Sequence, residues 1–200
     1  MANTSGTVRR NAAETTARLI AAARAEFAER GYDGARIDRI SAASGLNRAL
    51  LFQRFGDKEG LYRAVLTEVA EEAARSRSAL VATASPPRTR DEFAGVLREL
   101  TRATADFLRL HPEAARILAW ERASRWAAFT AVHVEADDGG ARAILSWFRD
   151  AGERGWLRSE SDGDRQVRLV LELVTALSGE DPEFIVAAVA AALLNQPEQR

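Results

Sequence analysis

The chain is 200 residues long, enough to bury a core as one domain or as a small module joined to a larger one, and its formal net charge is −1. With no cysteine it excludes disulfides, thiolate metal sites and cysteine nucleophiles, which fits a reducing cytoplasm, and no stretch reaches the ~18 apolar residues of a membrane span. Abundant alanine, only 5 prolines and scattered β-branched residues favour helices over strands, so an all-α fold is expected.

Residues 1–12 are polar and without periodicity, which predicts a flexible arm bearing Arg9 and Arg10 and no export signal. From Glu14 to Arg30, Leu19, Ala23 and Phe27 recur four apart with Ile20 beside them, one apolar helical face that Gly31 ends. A short helix is predicted from Arg36 to Ser44, with Ile37 and Ile40 inward and Gly45 breaking it. A third begins at the capping residue Asn47 and turns Leu50, Leu51 and Phe55 inward before Gly56-Asp57. From Lys58 a long amphipathic helix runs into the eighties, where Ser85-Pro86-Pro87 breaks it.

Another helix is predicted from Asp91 to the interruption at His111-Pro112, with Phe93, Val96, Leu97, Leu100 and Phe107 apolar. Further helices are expected over Pro112–Thr130, Gly140–Arg154, Asp162–Leu177 and Asp181–Leu194, about nine in all. The expected organisation is a basic arm (1–12), a DNA-binding domain (13–62) and a larger ligand-binding and dimerisation domain (63–200).

The central signal is IDRISAASGLNRALLFQRF. For two short helices to cross steeply, the first needs an apolar residue at Ile40 and a small one at Ser41 where its partner approaches. The turn needs a glycine at Gly45, and the second helix needs apolar residues at Leu46 and Leu51. All are present in register, which predicts a helix-turn-helix from about Arg36 to Phe55. Up to Arg63 the chain holds eleven basic and seven acidic residues, and beyond it seventeen against twenty-two. That is the sign expected of a phosphate-facing module on a neutral or acidic body.

The run from Leu19 to Leu66 resembles the N-terminal domain of TetR-type transcriptional regulators. The resemblance rests on Phe27 to Tyr32 (FAERGY), the Gly45-Leu46 turn and the FGDKE of Phe55 to Glu59. It implies that the third helix lies in the major groove of an operator. The exposed residues of that helix are expected to be Asn47, Arg48, Ala49, Phe52 and Gln53. Asn and Gln pair bidentately with adenine and Arg with guanine, which makes Asn47, Arg48 and Gln53 the base readers. Arg36 and Lys58, at the starts of the second and fourth helices, are expected to touch phosphate. The sequence departs from the family at Phe52, where Tyr is usual, at Gln53, where His or Asn is usual, and at Leu50, where Thr or Ala is usual. Leu50 is expected either to pack inward or to touch a thymine methyl.

In the larger part, Val167, Val170, Leu171, Val174 and Leu177 form one face of a helix while Leu169 and Leu173 form a second, and FIVAAVAAALLN is apolar almost all round. A homodimer through these last two helices is expected, which would set two reading helices about one DNA turn apart. The middle helices are dense in aromatic residues. Phe107, Trp120, Trp126, Phe129 and Trp147, with Glu121 and His133 as polar groups, are the expected lining of an effector pocket. The resemblance implies a small apolar or amphipathic effector whose binding changes the spacing of the DNA-reading heads.

Neither His111 nor His133 has a Glu three residues before it, as a carboxylate-bridged metal pair in a helical bundle requires, so neither an enzyme nor a cofactor or metal site is expected. A module that had lost its DNA would have no need of Arg36, Asn47, Arg48, Gln53 and Lys58. The sequence therefore predicts a cytoplasmic regulator, by default a repressor released by its effector. An activator, or a regulator without a ligand, is the alternative.

Overall fold

The computed structural model describes residues 4–126, 128–129, 140–158 and 163–195. Nine α-helices lie among them.

The first, α1 (Thr4–Gly34), buries Leu19, Ala23 and Phe27 completely. Residues 4–12, expected to be an arm, instead continue this helix. Only Gly6 among them disfavours helix, and once the packed part is formed each added residue gains a hydrogen bond without a new nucleation step. Gly31 is non-helical, at φ 65° and ψ −179°, so α1 kinks where the sequence placed its end.

Helix α2 (Ile37–Ser44) stops at Gly45, whose left-handed backbone (φ 65°, ψ 24°) lets its N–H and that of Leu46 turn back onto Ala42 and Ser41. Helix α3 (Arg48–Phe55) follows within three residues and buries Leu51. Helix α4 (Lys58–Thr83) is capped by Asp57, whose Oδ1 accepts from Gly60 N–H at 2.7 Å. Leu61, Val65, Leu66, Val69 and Ala70 are buried along it. The boundary expected at residues 62 and 63 falls inside this helix.

The body is built from α5 (Arg90–Leu110), α6 (Pro112–Ala123), α7 (Gly140–Glu153), α8 (Gly163–Ala176) and α9 (Pro182–Leu193). A capping box between Thr89 and Glu92 starts α5, and Asp181 caps α9. Helix α4 packs on α1 and α3 at one end and on α5 and α7 along the rest; α9 lies on α5 and α8. The buried residues of head and body form one continuous cluster, from Leu19 and Phe27 to Phe148, Val174 and Val189.

Helix α6 ends at Ala123, seven residues before the expected point. Arg125 and Trp126 both adopt left-handed backbone, at φ 60° and 61°, and Trp126 N–H returns to Glu121 O at 2.7 Å. No glycine or proline marks this turn, so local propensity gave no sign of it. Among the described residues no helix is long and apolar enough to cross a membrane.

Candidate nucleic-acid interface

Helix α1 holds α2 at both ends. At its start the backbone N–H of Arg36 donates to Glu26 Oε1 at 3.0 Å, and Arg39 Nε donates to the same oxygen at 2.6 Å. At its finish Arg18 Nη2 donates to Ser44 O at 2.6 Å. A carboxylate at the N-terminus and a guanidinium at the C-terminus each oppose the partial charge of the helix end they meet. Burial pushes the Glu26 carboxyl up, but the hydrogen bonds from Arg39 and the Arg36 N–H outweigh it and hold the group below the usual carboxylate range.

With α2 fixed, α3 is positioned through Leu51, which is fully buried, and through the half-buried Leu46 and Phe55. Its outer face presents Arg48, Ala49, Phe52, Gln53 and Arg54 to solvent, with Leu50 half-buried at the edge. Asn47 is exposed, and its side chain caps the helix: Oδ1 accepts from Leu50 N–H at 2.8 Å, leaving the amide NH2 to point outward chemistry at a base or phosphate. Arg48 Nη1 lies 2.9 Å from Asp38 Oδ1 on α2, and its guanidinium sits 5.6 Å from the centre of the Phe52 ring.

Of the two expected phosphate contacts, Arg36 is exposed and makes no side-chain hydrogen bond or ion pair among the described residues. Lys58, in the first turn of α4, has its ammonium 4.6 Å above the Tyr32 ring and 3.4 Å from Asp33 O. The ring holds the charge near the N-terminus of α4 without neutralising it. Arg36, Asn47, Arg48, Ala49, Phe52, Gln53 and Lys58 therefore all reach solvent from α2, α3 and the start of α4.

Sequence reasoning missed Arg18, Glu26, Asp38 and Arg39, which build and orient this face, and Arg54 on it. Only Arg54 carried a local signal, as a basic residue in the last turn of an expected reading helix.

The residues expected to line an effector pocket divide. Glu121 is 3% exposed; its Oε1 accepts from Tyr62 OH at 2.6 Å and its Oε2 from Phe129 N–H at 2.9 Å. Burial first, and the hydrogen-bonded Glu121 second, push the Tyr62 phenol well above its ordinary value, so it stays a donor. Trp126 packs 5.9 Å from Phe129, and its buried indole N–H has no partner among the described residues. Phe107 is buried on α5 and stacks on His111 at 4.8 Å; Trp147 is buried on α7. Trp120 faces the other way, onto α1, where its Nε1 donates to Ala28 O at 3.3 Å. His133 lies outside the described residues.

Residues 19–65 match the family described as bacterial regulatory proteins, tetR family. The HTH-type transcriptional repressor SCO4008 of Streptomyces coelicolor is 34% identical over 141 residues, which is 70% of this chain and just under two thirds (66%) of that relative. The HTH-type transcriptional repressor Rv1474c of Mycobacterium tuberculosis is 31% identical over 185 residues, covering 86% of this chain and 87% of its own. Among solved structures, the fatty acid degradation regulator FadR of Bacillus halodurans superposes with a TM-score of 0.66 over 92% of this chain and 97% of that one, at 18% identity, a likeness of fold.

Proposed function

The chain belongs to the TetR family of bacterial regulatory proteins, and on that footing we propose that it is a transcriptional repressor that grips a palindromic operator as a homodimer and releases it when a small molecule binds. Its work is DNA binding, not catalysis, and it acts in the cytoplasm, where its operator lies.

The observation that carries the reading is the outer face of α3, with Arg48, Gln53 and the Asn47 amide turned to solvent on a helix that α1 fixes through α2. Those three groups read base edges. Arg36 and Lys58 hold phosphate, and Ala49, Leu50 and Phe52 fill the groove between them. In this reading residues 13–62 are the DNA-binding domain, residues 63–200 the ligand-binding and dimerisation domain, and the residues before 13 a basic lead-in.

The dimer forms through α8 and α9. Leu169 and Leu173 are half-buried on α8, while on α9 Phe184 is 54% exposed and Ala187, Ala191 and Ala192 are open to solvent. An apolar, small-residue surface of this kind allows two helices of a second copy to approach closely. The effector is apolar or amphipathic and enters the body among Phe107, Trp126, Phe129 and Trp147. An unpartnered buried indole N–H on Trp126 supports this, because such a donor gains a full hydrogen bond when an acceptor arrives.

A reporter driven by the region upstream of the chain's own gene tests the repressor reading, alongside a gel shift with salt titrated. Expression should fall when the protein is supplied, and binding should exceed that to random DNA while weakening linearly in log salt. Expression that rises would mark an activator, and binding no tighter than to random DNA would overturn autorepression.

A further inference from the structure

We infer that Asp38, which faces no base itself, is a specificity-determining positioning residue: with the Phe52 ring it holds Arg48 so that one edge of the guanidinium is presented to a guanine. The inference rests on the reading of α3 as the base-reading helix.

The pair is not there for stability. Arg48 and Asp38 are 56% and 73% exposed, and ion pairs in that setting contribute roughly 0–1 kcal/mol. Nor does an acid at this place help attraction to DNA, since Asp38 puts a negative charge in the first turn of α2, beside the helix that approaches the phosphates. What the contact supplies is geometry. Arginine has five donors in a fixed planar fork. Asp38 engages Nη1 at 2.9 Å, and among the described residues the Nε and Nη2 edge makes no hydrogen bond. That edge has the two parallel N–H groups that match O6 and N7 of guanine.

Phe52 stands one helical turn beyond Arg48, and its ring lies 5.6 Å beneath the guanidinium. A tyrosine hydroxyl here would reach for phosphate; a bare ring offers only its face. The cation–π contact and the carboxylate together restrict a side chain that otherwise loses about 2 kcal/mol of rotamer freedom on binding. The arrangement therefore favours the one base that accepts both N–H groups and leaves the other three with an unmatched donor.

Binding to a selected operator and to its complete set of single-base variants tests this, at one salt concentration, for wild type, Arg48→Ala, Asp38→Ala, Asp38→Asn and the double variant Asp38→Ala/Arg48→Ala. Arg48→Ala identifies the position read by Arg48. Asp38→Ala should lower the preference for guanine at that same position about 5- to 10-fold and leave the other positions alone, with no loss of affinity for random DNA. Asp38→Asn, which keeps an acceptor for Nη1, should retain part of the preference, and the double variant should lose no more than Arg48→Ala alone. An unchanged guanine preference in Asp38→Ala, or a loss spread evenly over all positions, would overturn the inference while leaving the reading of α3 intact. A wild type that prefers no sequence would overturn both.

Discussion

Trp120 of α6 rests its indole on Gly31 of α1. A Cβ added at Gly31 would lie 2.9 Å from Trp120 Cδ2, and the glycine backbone there is left-handed. The contact is made at the kink of α1, so the body meets the head at the point where helix geometry is already interrupted. Gly31→Ala should destabilise the protein by about 1–3 kcal/mol, from left-handed strain plus the clash. In a Trp120→Ala background the same change should cost less, because only the strain remains, and thermal unfolding of the four proteins measures the difference.

The Tyr62–Glu121 hydrogen bond links α4 to α6 inside the core. Tyr62→Phe leaves one carboxylate oxygen buried without its donor and should cost about 1–3 kcal/mol. Its pH dependence has a definite sign. The folded-state phenol is raised above its ordinary value of 10.0, so its contribution is full below that pH and is lost as pH rises beyond it. Denaturant unfolding between pH 9 and 11 should therefore show a falling stability that is shallower in Tyr62→Phe.

Glu72 behaves oppositely. Both of its oxygens accept from Arg24 at 2.7 Å, tying α1 to α4. Those hydrogen bonds hold its carboxyl below the usual range against the upward push of burial. A depressed folded-state value means stability that is present above the ordinary 4.5 and lost as pH falls below it. Glu26, held down by Arg39, adds to the same slope. Glu72→Gln should flatten the acid limb of a stability-against-pH curve; an unchanged limb would remove Glu72 from the account.

Lys58 should act on all DNA alike. Its ammonium is positioned by Tyr32 at the start of α4 and contacts no reading residue. Lys58→Gln should weaken binding to every sequence by a similar factor and reduce the salt slope by about 0.9, the release of one counterion per phosphate contact. A selective loss at one base position would reassign it as a reader.

The proposed dimer places Phe184 and the exposed alanines of α9 in an interface. Sedimentation should give a dimer at micromolar concentration, and Phe184→Asp should shift it to monomer while leaving the helical content unchanged. A wild type that stays monomeric would remove the dimer.

How much of this was legible in sequence follows from range. Gly45 and Asn47 announced the turn and the start of α3 because each acts within four residues of itself, and the apolar register of Ile40, Leu46 and Leu51 fixed which face is buried. Glu26 and Arg36 are ten residues apart, Arg18 and Ser44 twenty-six, and Tyr62 and Glu121 fifty-nine. Nothing local marks such pairs, so the scaffold of the reading helix and the polar centre of the body were invisible. Trp120 was expected in a pocket with the other aromatics; composition cannot say which side of α6 it occupies. The early end of α6 escaped notice because a left-handed Arg125-Trp126 turn violates the residue preferences on which such readings rest.

Selection of bound DNA from a random pool tests the central claim most directly. The account predicts enrichment of a two-fold symmetric site whose half-sites lie about one helical turn apart, with a guanine in each half whose enrichment disappears for Arg48→Ala. A pool that stays random, or an enriched site unaffected by changes at Arg48 and Gln53, would contradict it.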